Sequence, residues 1–103
     1  MKKMILVALL LSVPALAADR RMLIINHSDQ AITELYGSNV GEQRWNYNML
    51  QGDAIPIGES RIADFAEGSG YCKFDLLAIG AAGGRWERYD MNVCSGRSWT
   101  LEK

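Results

Sequence analysis

From residue 37 onward a glycine interrupts the chain every few residues, at Gly37, Gly41, Gly52, Gly58, Gly68, Gly70, Gly80, Gly83, Gly84 and Gly96. Glycine inside a helix costs about 1 kcal/mol relative to alanine. The apolar segments left between these glycines are mostly too short to form a helix stable enough to persist. They are long enough for strands, which typically run about 5–6 residues. The spacing predicts several short strands joined by turns.

Strand candidates emerge from apolar alternation. Arg21 to Asn26 is the first, and Met22-Leu23-Ile24-Ile25 is apolar on both faces, as in a central strand. The polar cluster Asn26-His27-Ser28-Asp29-Gln30 reads as a turn, and Ala31 to Tyr36 as the returning arm of a first hairpin. On that arm Ile32 and Tyr36 would share one face, with Thr33 and Leu35 on the other. Arg44 to Leu50 is expected to form a single helical turn. Ile55 to Ser60 reads as an edge followed by a turn, because Pro56 cannot donate to a ladder. Arg61 to Phe65 is the third strand, and Glu67-Gly68-Ser69-Gly70 a turn.

Tyr71 to Ile79 and Arg85 to Cys94 form the clearest hairpin. Cys72, Phe74, Leu76 and Ala78 would face inward on one arm, and Tyr89, Met91 and Val93 on the other. Pairing Phe74 with Met91 and Leu76 with Tyr89 centres the turn between Ala82 and Gly83. Cys72 then faces Val93 and Cys94 points away. A bulge near Val93-Cys94 would bring the two cysteines together, and so would a strand that ends before Cys94. Ser98 to Glu102 closes the set, with Trp99 and Leu101 on one face. About six short strands, each with an apolar face, predict an all-β fold, a small antiparallel β-sandwich.

The first residues read MKKMILVALLLSVPALAA. Lys2 and Lys3 precede the apolar run Met4 to Val13, Pro14 ends it, and Ala15-Leu16-Ala17 supplies the small-x-small pattern of a leader cleavage site. The run is about half the roughly 20 residues that a membrane-spanning helix needs. Residues 1–17 are expected to be a signal peptide, leaving residues 18–103 as one domain with no membrane span, in the periplasm or secreted. No cysteine follows the run to carry a lipid. Loss of Lys2 and Lys3 leaves nine basic residues against twelve acidic ones, a net charge of −3. Arg20 and Arg21 make no basic cluster, so nucleic acid is not an expected partner.

A domain of this size has a marginal core and gains from a cross-link. The chain has two cysteines, Cys72 and Cys94. In an oxidising compartment such a pair most simply forms one disulfide, and closing that loop is worth about 3 kcal/mol in the chain-entropy model. Two free thiols or half of a metal site are the rival readings. One distant histidine and this cysteine spacing match no zinc pattern.

Catalytic equipment is not recognisable. His27 is the single histidine and sits in a polar turn. No serine lies in a G-x-S-x-G elbow, and neither H-E-x-x-H nor a phosphate-cradling glycine loop is present. Asp53, Asp64, Glu67, Asp75, Glu87 and Asp90 are scattered, too sparse for a calcium loop. No metal or cofactor is expected. Asn26-His27-Ser28 is formally a glycosylation sequon, better explained by turn chemistry.

Tyr36 to Leu50 is the one segment with the composition of a recognition loop. Trp45 and Tyr47 could stack on a sugar or anchor a protein partner, with Tyr36 and Asn48 beside them. The competing reading has Trp45, Met49 and Leu50 plugging the open end of the sandwich, and Trp86 and Trp99 packed inside. A binding module, protein- or glycan-directed, is the first functional expectation. A rigid envelope or stress protein is the second, and a small hydrolase or calcium-dependent module the third.

Leu23-Ile24-Ile25-Asn26, Ile32 to Ser38, Trp45 to Leu50, Ile57-Gly58-Glu59-Ser60 and Tyr71-Cys72-Lys73-Phe74-Asp75 together resemble a family of small exported proteobacterial β-proteins. That family has no established function, and some members carry the label argininosuccinate lyase. The resemblance covers most of residues 18–103 and implies an exported β-domain. Family members often have aspartate where this chain has Asn48, which argues against an acidic role there. An argininosuccinate lyase is a large, helical, cytosolic tetramer whose sites combine several subunits. A strand-rich exported domain of this size cannot supply such a site, so that activity is not expected.

Overall fold

A computed structural model describes residues 20–65, 71–95 and 97–103. The leader expected at residues 1–17 and the turn expected at Glu67 to Gly70 lie outside the described residues. Six strands succeed one another: β1 (Arg21–His27), β2 (Ile32–Asn39), β3 (Ser60–Asp64), β4 (Lys73–Gly80), β5 (Arg85–Asn92) and β6 (Ser98–Glu102). A 3₁₀ turn, Val93–Ser95, separates the last two. The strands form two three-stranded sheets, β3-β1-β6 and β2-β4-β5, packed face to face. The all-β sandwich is as expected, with one parallel pair, β1 with β6, among antiparallel ones.

Met22 and Ile24 from β1, Ala63 from β3, and Trp99 and Leu101 from β6 line one inner face. Ile32 and Leu35 from β2, Phe74, Leu76 and Ala78 from β4, and Met91 from β5 line the other. Leu50, Ile55, Phe65 and Val93 close the ends of this core. Burying such side chains is worth about 1.5–3 kcal/mol each, the main force joining the sheets.

Sheet partners differ from the expected ones at the first turn. β1 and β2 are not a hairpin: β1 pairs with β3 and β6, and β2 with β4. Asn26 is the physical reason. Its side chain is fully buried, and its amide donates to the carbonyls of Gln30 at 2.9 Å, Ile55 at 3.0 Å and Pro56 at 3.2 Å. Its Oδ1 accepts from the Ser28 amide at 2.9 Å and the Ser28 hydroxyl at 2.6 Å. This Asx turn carries the chain from one sheet to the other instead of folding it back beside itself. The same commitments leave no free Nδ2 for a glycan at the sequon.

Two bulges reassign faces. On β2 the register shifts between Ile32 and Glu34, so Ile32 and Leu35 are both buried and Tyr36 turns outward. On β5 it shifts opposite Asp75: Phe74 still pairs with Met91, but Leu76 pairs with Arg88 rather than Tyr89. The additional residue is absorbed at Asp90, whose φ is +57° and whose amide donates to Asp75 Oδ1 at 3.0 Å. A bulge inserts one unpaired residue and rotates those beyond it. Tyr89 is therefore exposed, against the inward placement expected from alternation.

Cys72 and Cys94 form a disulfide, with Cα atoms 5.2 Å apart. Of the two routes considered, the strand ends first: Cys94 sits in the 3₁₀ turn beyond β5, and the Val93 amide donates to the Cys72 carbonyl at 2.8 Å. Such a bond fits an oxidising, extracytoplasmic compartment. Among the described residues no helix is long and apolar enough to cross a membrane.

Candidate functional site

The segment after β2 holds no helical turn at Arg44 to Leu50. Asn48 keeps it extended along the outer edge of β2. Its Oδ1 accepts from the amides of Leu35 at 3.1 Å and Leu50 at 3.0 Å, and its Nδ2 donates to the Thr33 carbonyl at 3.1 Å. The Met49 amide adds a bond to the Leu35 carbonyl at 2.8 Å. Ile55 exchanges two further backbone bonds with Ile32. An edge that would otherwise present unpaired backbone groups is thus covered by the loop's own polar atoms. Asn48→Ala should remove about 1–3 kcal/mol of stability and speed amide exchange at Leu35, and an unchanged exchange rate there would contradict this role.

Asp75 anchors the near end of the loop. Its side chain is buried, and its Oδ2 accepts from the Gly41 amide at 2.9 Å while Oδ1 holds Asp90. Both carboxylate oxygens are thus used in positioning the chain. Nothing in the sequence marks this aspartate, which occupies the face assigned to solvent.

Held at both points, the loop overhangs a cleft of about 280 Å³. Phe65 and Phe74 form its floor, their ring centroids 5.5 Å apart. Gly37 makes this floor possible, since a Cβ there would lie 2.6 Å from Phe65 Cε1. Met49 and Tyr47 form one wall, and Glu42, Arg44, Asn46 and Asp64 supply polar groups at the rim. Tyr47 is 56% exposed, and Arg44 lies 3.5 Å from Glu42 in an exposed pair. A second depression, about 440 Å³, lies beside Cys72 and has no paired aromatic floor.

Trp45 does not enter the cleft. It is half-buried on the outer face of the β2-β4-β5 sheet, where its ring lies 6.4 Å from that of Tyr36. Leu50 is in the core and Met49 packs against it, but Trp45 belongs to neither the core nor the cleft. Of the four loop residues expected from sequence, Tyr47 lines the cleft, Asn48 positions the loop, and Tyr36 and Trp45 pair on the other side. Phe65, Phe74 and Arg44 carry no sequence signal of a site. Gly37, expected just beyond the second strand, lies within β2, where a strand glycine marks a close approach.

The same outer face carries two tyrosine–glutamate pairs. Tyr36 donates to Glu34 at 2.5 Å, which raises the Tyr36 pKa above the ordinary phenol value, with burial adding to it. Tyr89 donates to Glu87, raising its own pKa. That bond, then the Arg85 bond at 2.5 Å, lowers the Glu87 carboxyl. These exposed contacts organise the surface and contribute little stability.

His27 is exposed at the end of β1. Trp99 is buried, and Trp86 packs against the core while its indole N–H donates to the Glu102 carbonyl at 2.6 Å. Asp53 lies 3.5 Å from Arg61 and Asp90 3.7 Å from Lys73; Glu67 is outside the described residues. Among the described residues no three metal-ligating side chains gather. The fold and cleft together define a small disulfide-linked β-sandwich with an apolar-floored cleft. Comparison with known proteins returns no matching family model, no similar curated protein and no matching solved structure.

Proposed function

We propose that this chain is an exported, non-enzymatic binding domain, periplasmic or secreted, that takes an apolar side chain of a protein partner into the Phe65–Phe74 cleft. The observation that carries this reading is the pairing of an aromatic floor with a polar, charged rim in one concavity. Pockets with an apolar floor and a few placed polar groups are the usual form of a binding site. Its volume, about 280 Å³, suits one side chain better than a drug-sized ligand, which needs roughly 300–1,000 Å³. The leader pattern and the disulfide support export, and the resemblance to small exported β-proteins agrees with it.

N-acetylphenylalaninamide, titrated into isotope-labelled protein, is expected to shift the amide resonances of Met49, Phe65 and Phe74 at millimolar concentration. Tyr47→Ala should weaken that binding several-fold while leaving the melting temperature within about 2 °C. Shifts produced by maltotriose instead would move the assignment to a glycan. No response to either probe would remove the cleft from consideration as a binding site.

A further inference from the structure

β3 ends one sheet, in the order β3-β1-β6, and its free edge is built differently from the others in the sandwich. The β2 edge is covered by Asn48 and the loop it holds. β5 carries Arg85, Glu87, Arg88 and Asp90 and a bulge, and charges and bulges are the usual defences against an added strand. At the β6 edge the Glu102 carbonyl already accepts from the Trp86 indole. On β3, the Asn26 amide donates to the Glu59 carbonyl and the Phe65 amide to the Arg20 carbonyl. Odd-numbered residues of β3 therefore bond to β1, and the N–H and C=O groups of Ser60 and Ile62 point away from it. Among the described residues, none bonds to those groups. Ile62, at the centre of this edge, is 61% exposed.

The edge leads into the cleft, which Asp64 and Phe65 line at the end of β3. Side chains of an added strand alternate in step with those of the strand beside it. Ala63 and Phe65 face inward and Ile62 outward. A residue set opposite Phe65 therefore points inward to the Phe65–Phe74 floor, and one set opposite Ile62 points outward beside Ile62 and Leu23. These two positions are three residues apart in the added strand. A row of backbone groups repeating at about 6.8 Å is matched by an extended chain, whereas a helix has already paired its own. A second copy of β3, paired antiparallel about Ile62, would set its Glu59 opposite Phe65. That brings a carboxylate over an apolar floor, which is unfavourable, so the edge suits a segment with an apolar residue at that position.

We infer that an extended segment of a partner protein adds to the free edge of β3 as an antiparallel strand, with one apolar side chain in the cleft and a second, three residues later, against Ile62. On the reading of the cleft as a side-chain pocket, on which this rests, the partner's main chain supplies affinity and its two apolar residues supply selectivity. Antiparallel pairing is the more stable arrangement per residue, and in it the cleft residue comes first in the partner's sequence.

The probe is acetyl-Phe-Thr-Ser-Val-Thr-Lys-amide, titrated into isotope-labelled protein beside N-acetylphenylalaninamide. The peptide is expected to bind about tenfold tighter or better than the single residue. It should shift the Phe74 amide and slow hydrogen exchange at the amides of Ser60 and Ile62. A methyl group on the valine nitrogen removes the N–H that faces the Ile62 carbonyl, and should cost about tenfold in affinity. Moving the valine one place toward the phenylalanine turns it to the wrong face, and should cost about threefold or more. A peptide that binds no tighter than N-acetylphenylalaninamide, or is indifferent to the N-methyl group, overturns the added strand and leaves the cleft reading standing. If neither compound moves Phe74, both readings fall. Slow exchange at Ser60 and Ile62 in concentrated protein without peptide would mean that a second copy occupies the edge, which overturns the inference as well.

Discussion

Asn26→Asp is expected to remove a large share of the protein's stability at neutral pH and to recover part of it in acid. The substitution keeps the size and shape of the side chain but replaces its two N–H donors. In the native turn those donors serve the carbonyls of Gln30, Ile55 and Pro56, in a site with no solvent exposure. A carboxylate there would face three carbonyl oxygens with no compensating cation. Breaking a buried polar arrangement of this kind costs about 3–5 kcal/mol, against a total stability of about 5–15 kcal/mol for a small domain. Burial and the facing carbonyls raise the folded-state pKa of the introduced carboxyl above its unfolded value near 4. Its contribution is therefore most favourable below the unfolded pKa and is lost as pH rises through the folded one. Urea unfolding of variant and parent at pH 3.5 and pH 7 measures both parts. A variant within about 1 kcal/mol of the parent at pH 7 would show that Asn26 does not hold the turn.

Removing the disulfide should have an effect of similar size by a different route. Cys72 and Cys94 are separated by 22 residues, and a cross-link closing such a loop restricts the unfolded chain by about 3 kcal/mol. A domain of this size shifts its melting temperature by about 4–8 °C per kcal/mol, so Cys72→Ser with Cys94→Ser should melt roughly 12–24 °C lower. The loss should concentrate where the bond acts. Val93 to Ser95 leave β5 and lead to β6 in the opposite sheet, and the disulfide ties this crossing to the start of β4. Amide exchange at Val93 should accelerate more than at Leu35. A drop below about 3 °C would mean that the crossing is held by packing alone.

The strand positions were legible because they depend on local properties. Glycine placement and apolar alternation located all six strands to within a few residues, and Trp99 and Leu101 share the buried face their spacing implied. The cysteine pair was legible for a chemical reason, as two cysteines in an oxidising compartment have one simple fate. The site was less so. Tyr47 was visible as an aromatic residue in a polar loop, but Phe65 and Phe74 read as ordinary core residues. Only the loop held above them turns their rings into the floor of a cleft. The expected helical turn at Arg44 to Leu50 failed because Asn48 bonds to the β2 backbone, a contact across 13 and 15 residues that no local pattern announces.

Local chemistry in the chain was enough to set which segments are extended, where they turn, which cysteines join and most of the residues that are greasy. Those are consequences of backbone entropy and side-chain properties within a few residues. Apart from the β4–β5 hairpin, which its short turn announced, which strand lies beside which was set only by the assembled sheets, since alternation tells a strand's apolar side but names no neighbour. The faces of Tyr36 and Tyr89 were set there too, because one unpaired residue at each bulge reverses the side chains beyond it. So was the burial of Asn26 and Asp75, two polar side chains whose atoms fit inside only where distant backbone groups arrive to meet them.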